Sequence, residues 1–244
     1  MRITAIQSDE AQLVEQADAS PETGAAELGR VGFTIHSRVV DPSQLAALKR
    51  AFRSVLRGQA GLRTGSSLPE VRECARSPQI RRLVHTAIGV EAMLLRATLF
   101  HKTEGANWPV AWHQDRVLPV RSDLPGEGFH NFSRKPDGLY AEAPESVLSQ
   151  LLTVRIELDG ARADNGGLEL APGTHRRVLA TAESLRKAIE RSQTLLPEIP
   201  ASGALCLRPL LLHRSCRAAE GQSRRTVHLE FAPADLIGST LRRV

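Results

Sequence analysis

The chain has 244 residues, of which 41% are hydrophobic and 24% charged, with a formal net charge of +5. This length fits one large domain that buries a substantial core, and no apolar run approaches the ~18 residues that cross a membrane. The basic residues are mostly scattered arginines and aromatics make up only 4%. Stacking platforms for single-stranded nucleic acid are therefore scarce, and neither a nucleic-acid nor a membrane partner is expected. The opening MRITAIQSDEAQLVEQADAS lacks the apolar stretch of a secretory signal, which makes a cytoplasmic location the expectation. Three cysteines, Cys74, Cys206 and Cys216, have no C-x-x-C spacing and are expected to be reduced thiols rather than a disulfide framework or zinc ligands.

Residues 1–28 are polar, Ala/Glu-rich and weakly patterned, as a loose tail or a short surface helix would be. A single domain is expected over 29–244. GRVGFTIHSRVV (29–40) alternates apolar and polar residues around Phe33 and Ile35, the period of a strand. A helix follows over 41–58, with Asp41 or Ser43 as N-cap and Pro42 at an early position. Its apolar stripe is Leu45, Leu48, Phe52 and Leu56, and Gly58 suits its stop. A second helix spans 77–89, capped by Ser77 ahead of Pro78. From residue 92 onward the pattern is short β runs broken by Gly, Pro and Asn. The clearest are 92–102, 150–160, 202–215 and 224–233, with a shorter one inside 164–176 and an inserted helix over 181–191. Two helices followed by roughly eight short strands predict a β-sandwich or jelly roll with helices on one outer face. The 121–148 stretch, rich in Pro, Gly and charge, reads as a long loop of the kind that forms lids.

AWHQD (111–115) sets His113 and Asp115 two apart at the end of a strand-like run. Residues two apart on a strand point the same way, so both can face one metal. H-x-D alone is common, and a third ligand decides. Two histidines and a carboxylate with open positions are the ligand set of non-haem iron oxygenases. His213, closing the apolar run LRPLLLH, is the candidate, and His175 in PGTHR is its competitor. Arg224 stands where a strand opens after His213, and a guanidinium there can pair bidentately with a carboxylate.

In order, RATLFHKTEGANWPVAWHQD, LTVRIELDGARADNGGLELAPGTHR and GALCLRPLLLHRSCRAAEGQSRRTVHLEF resemble the phytanoyl-CoA dioxygenase-like family of Fe(II)/2-oxoglutarate-dependent oxygenases. The resemblance covers about Gly29 to Pro233. It implies a mainly β fold, a cupin-like double-stranded β-helix with flanking N-terminal helices and iron at one open end. It implies His113, Asp115 and His213 as iron ligands and catalytic centre, with Arg224 on the distal carboxylate of 2-oxoglutarate. Ser215, Lys102 and Arg155 match positions near that cosubstrate, and Gln114 matches the usual residue between the ligands. Strand parity leaves Arg225 as an alternative to Arg224. Arg225 shares a face with Val227, Leu229 and Phe231, and Arg224 shares one with Thr226, His228 and Glu230; spacing favours Arg224. Members often carry S-x-x-N-x-S after the distal histidine, and the asparagine is missing from SCRAAEGQS.

The implied reaction uses Fe(II), 2-oxoglutarate and dioxygen to hydroxylate an unactivated C–H of a small molecule, releasing succinate and carbon dioxide. Desaturation or cyclisation at the same iron is the alternative. Rivals of other kinds are a non-catalytic cupin-like binding protein, a metal hydrolase on a similar barrel and a nucleic-acid demethylase. Gln114, Arg116 and His130 are the substrate-contact candidates. With Arg121, Arg134 and Lys135, the charges around the presumed lid would suit an anionic or carboxylated substrate. The sequence sets no oligomeric state.

Overall fold

The computed structural model describes residues 21–55, 59–121 and 126–244. In chain order its main elements are α1 (Pro21–Val31), β1 (Phe33–His36), α2 (Pro42–Val55), β2 (Gly61–Leu62), α3 (Pro69–Ala75), α4 (Pro78–Ile88), β3 (Ala92–Lys102), β4 (Val110–His113) and β5 (Val117–Pro119). They continue with β6 (His130–Lys135), β7 (Gly138–Glu142), α5 (Glu145–Leu148), β8 (Leu152–Glu157), β9 (Leu168–Ala171), α6 (Ala182–Arg191), β10 (Ala204–Leu207), β11 (Leu212–Ser215) and β12 (Arg224–Pro233).

A six-stranded sheet runs β1-β10-β8-β12-β3-β2, and a three-stranded sheet runs β4-β11-β9. All pairings are antiparallel. Phe33, Ile35, Leu205 and Leu207 of the large sheet pack with Leu168 and Leu170 of the small one. Two sheets joined by an apolar filling make the jelly roll, as expected, and the N-terminal helices lie outside it. Leu48, Phe52, Ile80 and Val84 of α2 and α4 meet Leu152, Val154 and Ile156 of β8 and Val227 and Leu229 of β12.

That arrangement buries both faces of the central strands. Every residue of β8 is buried, so its inward set Thr153, Arg155 and Glu157 lies in the interior although it is polar. The inward residues of β12 and β3 continue the pattern, with Thr226 opposite Glu157 and Phe100, and His228 opposite Arg155 and Thr98. Burying so many polar groups costs free energy unless each finds a partner. A barrel wall of this kind is the mark of a site.

Helix starts follow their caps. The Asp41 carboxylate accepts from the Gln44 amide at 2.8 Å and heads α2, and Ser77 accepts from Ile80 at 3.5 Å with Pro78 opening α4. The predicted Leu56 and Gly58 lie outside the described residues. Thr181 and Ser184 cap each other's backbone at the start of α6. The tail assigned to 1–28 contains the start of α1, the surface-helix alternative; residues 1–20 lie outside the description. Leu28 and Val31 anchor α1. The predicted strand over 202–215 is two strands in different sheets, broken near Pro209, which has no N–H to donate to a ladder. The 121–148 stretch, expected as a long lid-type loop, contains strands, and its residues 122–125 lie outside the description. His130–Lys135 and Gly138–Glu142 form the hairpin β6–β7, which adds to β5 in a third sheet of order β5-β7-β6. β6 is almost wholly exposed and carries no apolar alternation, so its sequence resembles a loop.

Candidate metal centre and its two cavities

His113 ends β4 and stands opposite His213 on β11. Alternation turns Trp112 and Leu212 outward to the layer under α6, which leaves the two imidazoles facing inward with ring centroids 4.2 Å apart. Asp115 lies just past the strand end, its amide donating to the Pro209 carbonyl at 2.8 Å. Its carboxylate approaches both rings, 3.6 Å from His113 Nε2 and 3.8 Å from His213 Nε2. One ligand atom from each of the three lies within 4.8 Å of the others.

Each imidazole bonds through Nδ1 to the carbonyl two residues before it, His113 to Ala111 and His213 to Leu211, both at 2.8 Å. A carbonyl accepts only, so Nδ1 carries the proton and the Nε2 lone pair is left for a metal. Asp115 Oδ2 is buried without a hydrogen-bond partner. Burial works against the Asp115 charge, but the surrounding histidines His213, His113 and His228 hold its carboxyl well below the usual carboxylate range. Burial pushes His213 down to about 4, which keeps its imidazole neutral at physiological pH. These residues fit a divalent cation bound on one face with open positions on the other.

Two cavities meet at the triad. The inner one is about 190 Å³ and is walled by Lys102, Arg155, Ser215 and Arg224 as well as His113, Asp115 and His213. The outer one is about 510 Å³ and reaches to Arg63, Arg116 and Lys135. His113, Asp115, Phe100, Trp108 and His228 border both.

The inner wall is strongly basic. Arg224 Nη1 donates to Glu157 at 3.2 Å, and Thr226 Oγ1 donates to the same carboxylate at 2.7 Å. Arg224 Nε and Arg155 Nε are both buried without a hydrogen-bond partner, Arg155 Nε lying 4.0 Å from Glu157 Oε1. Lys102 donates to Ser215 Oγ at 3.1 Å and to the Cys216 carbonyl. Burial and the nearby Arg224 bring its amine down to about 8. Gly166 permits this packing: at φ +74° its missing Cβ would lie 2.8 Å from the Cys216 carbonyl oxygen and 3.0 Å from Lys102 Nζ. Arg225 points to the opposite face, paired with Asp159 at 2.6 Å beside Lys49.

The substrate candidates separate. Arg116 borders the outer cavity and pairs with Glu142 at 3.0 Å. His130 is exposed on β6, 3.6 Å from the same carboxylate, and borders neither cavity. Gln114 borders the outer cavity, and its amide is also bonded to backbone. Its amide nitrogen donates to the Arg177 and Leu210 carbonyls, and its oxygen accepts from the Leu179 amide, so both its N–H groups are spent on backbone. His175 bonds to the Gly29 carbonyl at 3.2 Å and lies outside the triad. The sequence reading missed Glu157 and Trp108, and gave His228 and Glu230 no role. Strand parity was the available signal for Glu157, because Thr153, Arg155 and Glu157 alternate with the apolar residues of β8.

The fold and the triad define a class first: a double-stranded β-helix with an inward His-Asp-His cluster at one end. Several solved structures share this fold. AviO1 from Streptomyces viridochromogenes Tue57 matches with a TM-score of 0.66 at 20% identity, over 88% of this chain and 96% of that one. The nogalamycin-biosynthesis epimerase SnoN, solved with Fe3+, alpha ketoglutarate and nogalamycin RO, matches with a TM-score of 0.68 at 16% identity over 88% and 84%. EctD from S. alaskensis, solved with 2-oxoglutarate and 5-hydroxyectoine, matches with a TM-score of 0.63 at 15% identity over 89% and 78%. No family model and no curated protein matches the chain. All three cysteines are free thiols. Among the described residues, no helix is long and apolar enough to cross a membrane.

Proposed function

We propose that this chain is an Fe(II)/2-oxoglutarate-dependent oxygenase that hydroxylates a small molecule, within the phytanoyl-CoA dioxygenase-like branch that its motifs resemble. One observation carries the proposal. Asp115 Oδ2, Arg155 Nε and Arg224 Nε are all buried without a hydrogen-bond partner around a single cavity, the nearest ionisable partners being His213 at 3.8 Å from Asp115 Oδ2 and Glu157 at 4.0 Å from Arg155 Nε. An unmet buried group costs about 1–3 kcal/mol, and a metal with an anionic chelator would satisfy all three. The solved structures of SnoN and EctD with alpha ketoglutarate or 2-oxoglutarate support the choice of chelator.

Iron, 2-oxoglutarate and dioxygen together supply the oxidation of a C–H bond, with succinate and carbon dioxide as coproducts. The chain's own residues do the rest. His113, Asp115 and His213 hold the metal and leave one face open. Arg224 grips the distal carboxylate of the cosubstrate, with Lys102 and Ser215 beside it, while Glu157 fixes the guanidinium from behind. Arg155 adds positive potential to the same wall. Phe100 and Trp108 screen the junction from water. The substrate occupies the outer cavity, with its reacting carbon toward His113 and Asp115. The solved neighbours include an epimerase and a carbocyclase, so product structure separates hydroxylation from cyclisation.

The test is anaerobic addition of Fe(II) and 2-oxoglutarate to the full chain, followed by the visible metal-to-ligand charge-transfer band. His113→Ala should abolish it and Arg224→Ala should weaken it. Iron bound normally with no band would end the 2-oxoglutarate assignment and favour the cupin-like binding protein.

A further inference from the structure

The outer cavity carries charges that the proposed chemistry does not use. Four basic side chains border it: Arg63, Arg96, Arg116 and Lys135. Two are neutralised. Arg96 is held by Glu230, with Nη2 to Oε1 at 2.7 Å, and Arg116 by Glu142. Among the described residues, neither Arg63 nor Lys135 forms an ion pair. Lys135 Nζ instead lies 4.5 Å from the ring centroid of Tyr140, a fully buried side chain whose hydroxyl donates to Asp137 at 2.5 Å. That contact fixes the ammonium at the cavity wall. Burial, Arg63 and Arg96 lower the Lys135 pKa and Asp137 only partly offsets them, so net positive charge faces this space. The lining acids give little relief, since Glu230 is taken by Arg96 and Asp115 belongs to the metal centre.

We infer that the outer cavity binds its substrate through an anionic group, a carboxylate or a phosphate ester, gripped by Arg63 and Lys135. The inference rests on the proposed function, which reserves the inner cations for the cosubstrate. The anion would anchor one end of the molecule while the other end extends to His113 and Asp115. A cavity of about 510 Å³ is in the range that accepts such a ligand whole. A guanidinium gives the anion a two-pronged partner and the ammonium adds a point charge.

The experiment uses the full chain with Fe(II) and saturating 2-oxoglutarate, without oxygen. Calorimetric titrations compare 3-phenylpropanoate, 2-phenylethyl phosphate and the neutral 3-phenylpropanamide, on wild type, Arg63→Gln, Lys135→Met and the double variant. At least one acid should bind tenfold or more tightly than the amide, and the better acid identifies the headgroup. Each single variant should lose most of that preference and the double variant all of it, with amide affinity unchanged. Lys135→Arg should restore part of it, which guards against a variant that merely folds poorly. Equal affinities in wild type, or a preference surviving in the double variant, would overturn the inference. The charge-transfer band, read on the same samples, reports the inner cavity separately. A wild-type band without acid preference sinks only the inference, whereas acid preference without a band sinks only the cosubstrate assignment.

Discussion

Nη1 of Arg155 lies 3.0 Å from Nδ1 of His228, on the adjacent strands β8 and β12 where the two residues are register partners. A guanidinium only donates, so Nδ1 accepts and the imidazole proton sits on Nε2. That nitrogen looks toward Glu230, 3.9 Å from Oε2. Burial first and the Arg155 charge second push the His228 pKa down to about 3. A neutral imidazole of fixed tautomer thus stands where the two cavities join. In the metal-free protein, nitrogen-detected NMR should find His228 as the Nε2–H form from pH 5 to 8. Titration near 6.5 would show that Arg155 does not hold it.

The buried imidazoles also set a pH dependence of stability. His213 and His228 remain neutral in the folded, metal-free chain, at about 4 and about 3, whereas unfolded histidines take up protons below about pH 6.5. The unfolded state therefore binds more protons in this window, and stability falls as pH drops from about 6.5 toward 4.5. His113 opposes them: burial lowers its pKa, but Asp115 more than restores it. Two depressed groups outweigh one raised group, so the urea midpoint should be lower at pH 5 than at pH 7. Equal midpoints would mean that the two rings protonate without unfolding.

Gln114 ties three backbone segments together from its position between His113 and Asp115. Replacing it with Ala leaves the Arg177 and Leu210 carbonyls and the Leu179 amide short of a partner, at about 1–3 kcal/mol for each that stays dry. Gln114→Ala should lose about 3 kcal/mol or more in urea unfolding. Gln114→Glu cannot donate to the two carbonyls when ionised and should fare no better. A wild-type midpoint in Gln114→Ala would mean that water replaces the amide at these backbone groups.

Leu229 belongs to the layer under the helices, on the opposite face of β12 from His228. Leu229→Ala should cost about 2–5 kcal/mol while the folded protein keeps its Fe(II) affinity. Equilibrium dialysis below the unfolding transition checks the second half. Loss of iron binding at full stability would mean that the two faces are not independent.

Much of this was written in local pattern. The caps Asp41, Ser77 and Thr181, the run of β3 and the alternation of β12 depend on neighbours in sequence. The His113–Asp115 spacing was legible too, but strand parity does not orient the pair: β4 ends at His113, and the bond of the Asp115 amide to the Pro209 carbonyl places the carboxylate. Other features had no local signature. β6 is polar and exposed, and only its pairing with β7 makes it a strand. α1 holds few apolar residues, and its helix is anchored by Leu28 and Val31 packing onto other elements. Nothing in H-Q-D reveals that the Gln114 amide also ties the Arg177, Leu210 and Leu179 backbone together.

By itself the sequence determined the class of fold, the residue types of the triad and the positions of the basic groups. Tertiary structure decided how they combine. Pairing of β11 with β4 brought His213 to His113 across 100 residues of chain (213 − 113). Helix packing on Val227 and Leu229 decided that the apolar face of β12 lies outside the barrel. Arg224 therefore faces the inner cavity, while Arg225 is spent on Asp159. Parity could pair the residues of that strand into two faces. It could not say which face is inside, because both are buried and only the partner surface distinguishes them.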